Sequence, residues 1–380
     1  MPSPFDKSFT LGILGGGQLG RMLIQAAMKF DFRIHVLDPD REAPCSAFCN
    51  EFTWGRLTDF DAIYNFGRRV DLLTIEIENV NVDALEKLEA EGVVIHPHSN
   101  IIKTVQDKGA QKLFLKENNI PTANFDLIQS KQELRTIRCF FPMVQKLRRA
   151  GYDGRGVVKI ASAEEIEKGF DQPSVVEQFV DVEKEISMLV ARSAVGEMKV
   201  YPPVEMMFHP EANLVEFLLS PANIPPAIED RAKEMAVEIA RAFELVGLAA
   251  VEMFVLKDGT VLVNEIAPRP HNSGHHTIEA NVTSQFEQHL RAILGLPLGS
   301  TQIKSPAVMV NLLGEEGHEG EARYEGLEEI LSIEGASVHL YGKRTTKPFR
   351  KMGHVTILDS DIHRALEKAR RIKHQLKVVA

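Results

Sequence analysis

Cysteine is scarce. The 380 residues include only Cys45, Cys49 and Cys139, an odd number in a long chain, which excludes a disulfide framework and fits a reducing compartment. Cys45 and Cys49 have a loose metal-like spacing at best, and no zinc is expected there. A basic field is missing too. The net charge of −9 excludes a protein that grips nucleic acid with its whole surface, because neutralising phosphates requires positive charge. Any bound phosphate must be met locally. The chain also lacks an uncharged apolar run of about 18 residues and a basic segment leading into an apolar core near Met1, so no membrane association is expected and a cytoplasmic protein is. What remains is ordinary globular material, 44% hydrophobic and 26% charged, enough for two or three domains at about 150 residues each.

Short apolar strands alternate with helical periodicity through the first hundred residues. Thr10 to Leu14, Ile34 to Leu37, Val70 to Ile75 and Val93 to Ile95 read as strands. Leu19, Met22, Leu23, Ala26 and Ala27 fall at helix spacing, and a helix is predicted from Val82 to Ala90. A parallel, doubly wound sheet follows. A helix near Asp107 to Glu117 runs to a break at Pro121, after which strands mix with shorter helices. Ser130 with Glu133 and Ser162 with Glu165 have capping-box spacing, and Asp230 to Phe243 is an amphipathic helix. Glycine and proline cluster just before Ser300. The expected division is 1–105, 106–300 and a small capping domain at 301–380, with α/β character first and α+β after it.

Four segments carry chemistry. Gly15-Gly16-Gly17-Gln18-Leu19-Gly20 follows a strand, opens a helix and has Asp38 at the end of the next strand, as a dinucleotide fingerprint does. A phosphate cradle for another ligand, or close helix packing, would use the same glycines. Next, Lys146 ends a strand that enters Gly151-Tyr152-Asp153-Gly154-Arg155-Gly156 before a strand from Val157 to Ile160. Three glycines in that stretch make a hairpin flap able to close over a triphosphate, or an ordinary exposed turn.

The third segment is Ala249 to Ile266, a strand, turn and strand about Asp258-Gly259. A two-residue turn pairs Lys257 with Thr260, and counting outward sets Glu252 opposite Glu265 on a face shared with Ala250, Phe254, Val261 and Val263. Like charges directly opposed are destabilising. A divalent cation between them removes the conflict, and carboxylates without thiolates favour magnesium. Asn264 can add an oxygen if the strand rotates it inward. The polar loop from Pro268 to His276 reads as a substrate loop; adjacent His275 and His276 diverge, which argues against a histidine zinc site. Last, Lys343, Arg344, Lys347, Arg350 and Lys351 form a local cationic cluster suited to a phosphate monoester.

Taken together, the chain resembles the N5-carboxyaminoimidazole ribonucleotide synthetase family of ATP-grasp enzymes. The likeness rests on residues 15 to 22, 151 to 156, Glu177-Gln178-Phe179-Val180 and the run from Asn264 to His275, and covers nearly the whole length. It implies a pre-ATP-grasp domain, an ATP-grasp domain and a C-terminal domain, in a homodimer. It implies ATP held by Lys108, Lys146, the flap from Gly151 through Val157, Glu177 to Val180 beside the adenine, Glu185 on the ribose, and His209, Asn264 and Glu265 nearby. Glu252 and Glu265 would carry magnesium, or manganese in its place. Aminoimidazole ribonucleotide would lie against Gly17, Gln18, Leu19, Glu76, Asn272, Ser273, Lys343, Arg350 and Lys351, with Arg155, Arg269, His271 and Lys351 catalytic. The glycine loop then takes no NAD. The implied chemistry is phosphorylation of bicarbonate to carboxyphosphate, which carboxylates the nucleotide's amine.

Relatives usually carry Tyr-Glu-Phe-Glu-Asn where this chain has Ile75-Glu76-Ile77-Glu78-Asn79, which alters the nucleotide contact there. The rivals are a formate-activating or biotin-carboxylating ATP-grasp enzyme, a nicotinamide oxidoreductase, and a catalytically silent nucleotide binder.

Overall fold

The computed structural model describes residues 3–137, 141–149, 156–208 and 214–380. Its N-terminal sheet is parallel throughout, in the order Glu51–Trp54, Arg33–Asp38, Thr10–Leu14, Leu72–Ile75, Val94–Ile95. The central strand is buried along its whole length because helices cover both faces of such a sheet. The predicted strands and helices here appear within a residue or two. Glu51–Trp54, an edge strand that carries no apolar run, is an addition.

Beyond Pro121 a four-stranded antiparallel sheet runs in the order Phe125–Ile128, Ser174–Gln178, Met143–Leu147, Val157–Ile160. A larger antiparallel sheet of nine strands begins at Val261–Ala267 and Gly247–Leu256, continues through Val182–Arg192, Val204–Phe208 and Val215–Ser220, and then takes in Ala307–Leu313, Lys351–Leu358 and Ala336–Leu340, with the short Met198–Val200 pairing beside the far end of Val182–Arg192. Phe217 pairs with Val310, so the C-terminal segment extends the central sheet instead of standing apart from it. The helix Pro226–Ala242 packs on this sheet through Ala232, Met235, Ala236 and Ile239.

Of the two capping boxes, each keeps one half. Glu133 accepts from the Gln129 N–H and Glu165 from the Ala161 N–H, while Ser130 and Ser162 make no side-chain cap bond. The second leads into a 3-10 turn, Ala163–Lys168, rather than an α-helix.

The three parts are joined by polar contacts. His289, on the helix Gln285–Ile293, accepts at Nδ1 from the Leu248 N–H (3.2 Å) and meets Thr74 Oγ1 of the parallel sheet at 3.0 Å through Nε2. His339 meets Glu279 at 2.7 Å, Arg21 donates to the Tyr341 carbonyl, and Arg344 pairs with Glu42. Burial pulls His289 down to about 3 from an ordinary 6.5. Its folded value lies below its unfolded one, so between about pH 6.5 and 3 the unfolded chain takes up a proton that the folded protein refuses. Stability is therefore expected to fall on acidification through that window. Urea midpoints at pH 7.5 and 5.5 test this, and His289→Gln should flatten part of the slope; coincident midpoints for the wild type would contradict it.

Candidate active site

The glycine loop is occupied by the protein itself. The Glu76 carboxylate accepts from the Gly17 N–H (3.0 Å) and the Gly20 N–H (2.8 Å), and Asp38 accepts from the Gly16 N–H (2.6 Å). Anions favour a helix N-terminus, and here a side chain supplies the anion. Gly15 has φ +100°, and a Cβ on Gly17 would lie 2.6 Å from Glu76 Oε1, so the glycines make room for this carboxylate. Burial pushes Glu76 up, against the two amides. Leu19 is buried in the core and offers a ligand only backbone, whereas Gln18 lines a cavity of about 310 Å³ with Arg21, Gln25 and His339. Ile75 is buried, and Ile77 is 38% exposed beside the loop.

In the hairpin Gly247–Leu256 to Val261–Ala267, Glu252 does pair with Glu265, but by a different route from the simple count. The turn holds three residues, with the Gly259 N–H bonded to the Leu256 carbonyl and Gly259 at φ +83°. This shifts the register by one, and a β-bulge shifts it back: Met253 pairs with Val263 while Glu252 pairs with Glu265, leaving Asn264 as the extra residue. Val261 and Val263 consequently lie in the core with Val251, Met253 and Val255, not on the face of Ala250, Glu252 and Phe254.

The bulge aims Asn264 inward. Lys146 Nζ lies 2.8 Å from Asn264 Oδ1 and 3.0 Å from Glu177 Oε1, and Lys108 Nζ lies 2.7 Å from Glu265 Oε1. The two antiparallel sheets thus meet across alternating charges. Burial, then the Glu265 and Glu185 charges, push Glu252 up to about 7; burial also pushes Glu185 up to about 7. Two opposed carboxylates and an amide oxygen are hard donors that suit a small divalent cation.

Glu177 is placed otherwise than expected. Its carboxylate is buried between Lys146 and Lys112, whereas Gln178 and Phe179 of the same stretch are exposed. Burial raises the carboxyl, but Lys146 and Lys112 outweigh it and hold Glu177 below its ordinary value. Gln178 accepts from Asn124, and Phe179 stacks under the Lys159 ammonium at 3.6 Å. Gly156 and Val157 close the flap's far end, where the Leu147 N–H bonds to the Gly156 carbonyl. Gly151, Tyr152, Asp153, Gly154, Arg155 and His209 lie outside the described residues.

Beyond the carboxylates, Arg269 Nε meets Glu78 at 2.9 Å and His271 Nε2 lies 3.8 Å from Glu252 Oε1. Burial, then Arg269 and Lys351, hold His271 well below its ordinary value. Ser273 is fully buried; its hydroxyl bonds to His271 Nδ1 (3.0 Å) and Ser187 (2.8 Å), so it serves His271 and not a ligand. Asn272 starts the adjoining 3-10 turn. Lys343 donates to the Lys351 carbonyl, which brings both lysines to the same corner, while Arg350 turns onto Thr345. Sequence reasoning missed Gln111, Lys112, Ser187 and Gln285, which brackets the His271 backbone at 2.9 and 2.7 Å. Gln111 and Lys112 follow Lys108 at helix spacing on the stripe of buried Leu115, a signal that two polar groups hold core positions.

Two antiparallel sheets that meet at Lys146 on one and the paired Glu252 and Glu265 on the other, with Lys108 reaching in from the adjoining helix, define an ATP-grasp protein. Residues 113–286 match the ATP-grasp domain, 8–106 the ribonucleotide synthetase preATP-grasp domain, and 307–368 the phosphoribosylaminoimidazole carboxylase C-terminal domain. The N5-carboxyaminoimidazole ribonucleotide synthase of Bacillus subtilis is 36% identical over 92% of this chain and 91% of its own. The structure of N5-carboxyaminoimidazole ribonucleotide synthetase from Thermotoga maritima superposes with a TM-score of 0.90 at 45% identity, covering 98% of this chain and 99% of that one. A synthase from Aspergillus clavatus in complex with ADP and 5-aminoimidazole ribonucleotide gives 0.87 at 33% identity, covering 96% and 100%. The chain belongs to the N5-carboxyaminoimidazole ribonucleotide synthase family. It spans 64% of the length of the chloroplastic phosphoribosylaminoimidazole carboxylase of Vigna aconitifolia, at 40% identity over 93% of this chain.

Proposed function

We propose that this protein carboxylates 5-aminoimidazole ribonucleotide with bicarbonate and ATP, giving N5-carboxyaminoimidazole ribonucleotide, ADP and phosphate. The observation that carries this is the Glu252 and Glu265 pair facing Lys108, Lys146 and Asn264, flanked by Arg269, His271, Lys343 and Lys351.

A bicarbonate oxygen attacks the γ-phosphorus, the bond to the β,γ-bridging oxygen breaks, and ADP leaves. The resulting carboxyphosphate releases phosphate and CO2, whose carbon takes the nucleotide's amine; the amine loses a proton. Lys146 and Lys108 hold the phosphates as negative charge shifts toward ADP. Glu252, Glu265 and Asn264 would hold magnesium. When bound, that ion offsets charge on the transferring group and cancels the repulsion between the two carboxylates. Arg269 and His271 shield the acyl phosphate from water, Arg155 is assigned to the same group, and Lys343, Arg350 and Lys351 take the ribonucleotide's phosphate. Glu76 and Asp38 occupy the amides a dinucleotide would need, which disfavours an NAD reading. A cytoplasmic homodimer completes the proposal.

Phosphate release at fixed ATP and magnesium tests it. Release should require bicarbonate, not formate, and rise with aminoimidazole ribonucleotide; turnover with formate, or indifference to the ribonucleotide, would refute it. Lys351→Ala should raise KM for the ribonucleotide roughly tenfold, the loss of one charge-assisted contact, while KM for ATP holds. An unchanged ribonucleotide KM would remove Lys351 from the phosphate site.

A further inference from the structure

Glu265 stands on Val261–Ala267, the edge strand of the nine-stranded sheet, and reaches the site only through the bulge at Asn264. An edge strand has a free side, and a slip of one residue carries every side chain to the other face. Something must hold the outer side of this bulge.

Two groups do. Before the bulge, the Val263 N–H bonds to the Pro121 carbonyl (2.8 Å), and Thr122 Oγ1 donates to the Val263 carbonyl (2.7 Å). After it, the carboxamide of Gln111 takes the place of a neighbouring strand. Gln111 Oε1 accepts from the Ile266 N–H at 2.9 Å, and its Nε2 donates to the Ile266 carbonyl at 3.3 Å. Gln111 is 3% exposed, on the helix Lys108–Glu117 whose first residue contacts Glu265. Asp107 caps that helix and is held by a two-point contact from Arg148, at 2.8 Å from both Nε and Nη2. The side chain is thus fixed at both ends.

Resting on the cation site proposed above, we propose that Gln111 is a positioning residue for the Glu265 carboxylate. It locks the bulged edge strand in the register that turns Glu265 toward Glu252, so that both can share one ion. Gln111 itself touches neither ion nor nucleotide.

Calorimetric ADP binding, with and without magnesium, tests this on the full chain. Wild-type protein should bind ADP more tightly with magnesium. In Gln111→Met that gain should shrink about tenfold, as when a group orienting a metal ligand is removed, while magnesium-free ADP affinity and KM for the ribonucleotide stay unchanged. Gln111→Glu keeps the acceptor for the Ile266 N–H and loses the donor, so an intermediate loss is expected; it also decides the matter if the methionine variant does not fold. A folded variant with the full magnesium gain would overturn the assignment, as would equal weakening with and without the ion. A wild type indifferent to magnesium would instead overturn the cation site.

Discussion

Glu265→Gln is expected to lower ATP cleavage by roughly 10² to 10³-fold, the scale seen when one electrostatic contact to a developing charge is removed, while the fold survives. The reason for sparing lies in exposure. The Glu265 side chain is 46% exposed and, among the described residues, its one ion pair is with Lys108, so replacing it buries no new charge. The reason for the loss lies in pairing. Glu265 stands directly across from Glu252, and the neutral amide would leave a divalent ion one carboxylate on a strand pair that was shaped for two. Phosphate release and thermal unfolding, measured on one preparation, decide it. Undiminished turnover would remove the cation site; lost turnover with a collapsed melting temperature would show Glu265 to be structural.

Lys112→Met should destabilise the central region by about 3 to 5 kcal/mol, the cost of breaking a buried ion pair from one side. Lys112 is 3% exposed, 3.3 Å from Glu177 Oε1 and 2.6 Å from Thr122 Oγ1. Burial pulls its pKa down to about 8 even though Glu177 opposes the shift. Methionine fills the same space with no charge, so Glu177 is left buried with Lys146 alone. Lys146 is then drawn more tightly to Glu177, and KM for ATP should rise alongside the lost stability. Replacing Lys112 and Glu177 together, by methionine and glutamine, removes both the unpaired buried charge and the pull on Lys146, so it should recover much of the stability and part of the ATP binding. Urea unfolding of the single and double variants reads the first effect. A single variant as stable as the wild type would show that the pair is not coupled in the folded protein.

Much of the architecture could be read because it depends on near neighbours. Thr10 to Leu14 is a continuous apolar run in a parallel sheet, and Val82 to Ala90 repeats at helix spacing between an Asn81 cap and Gly92, so both appear as expected. The strands between Val182 and Ser220 were legible only as a mixture, since their pairing partners lie far away in the chain. The hairpin is the instructive case. Glu252 does oppose Glu265, yet the two-residue turn behind that count is replaced by a three-residue turn and a compensating bulge. Asp-Gly permits either turn, and local preference does not choose between them. The edge contacts of Gln111 and Thr122 choose, because they satisfy the backbone only in the bulged register.

The glycine loop divides the same way. Spacing alone marks a helix N-terminus open to an anion, but whether that anion is a ligand or a side chain depends on a residue 56 positions from Gly20. Residue types and their periods were therefore enough to mark the parallel sheet and the cluster of acids and bases that chemistry would use. Only folding in three dimensions decided that Glu76 fills the loop, that Glu177 is held between lysines, and that Asn264 and Glu265 turn into the cleft, because each of these depends on which distant group removes a buried charge or an unpaired amide from want of a partner.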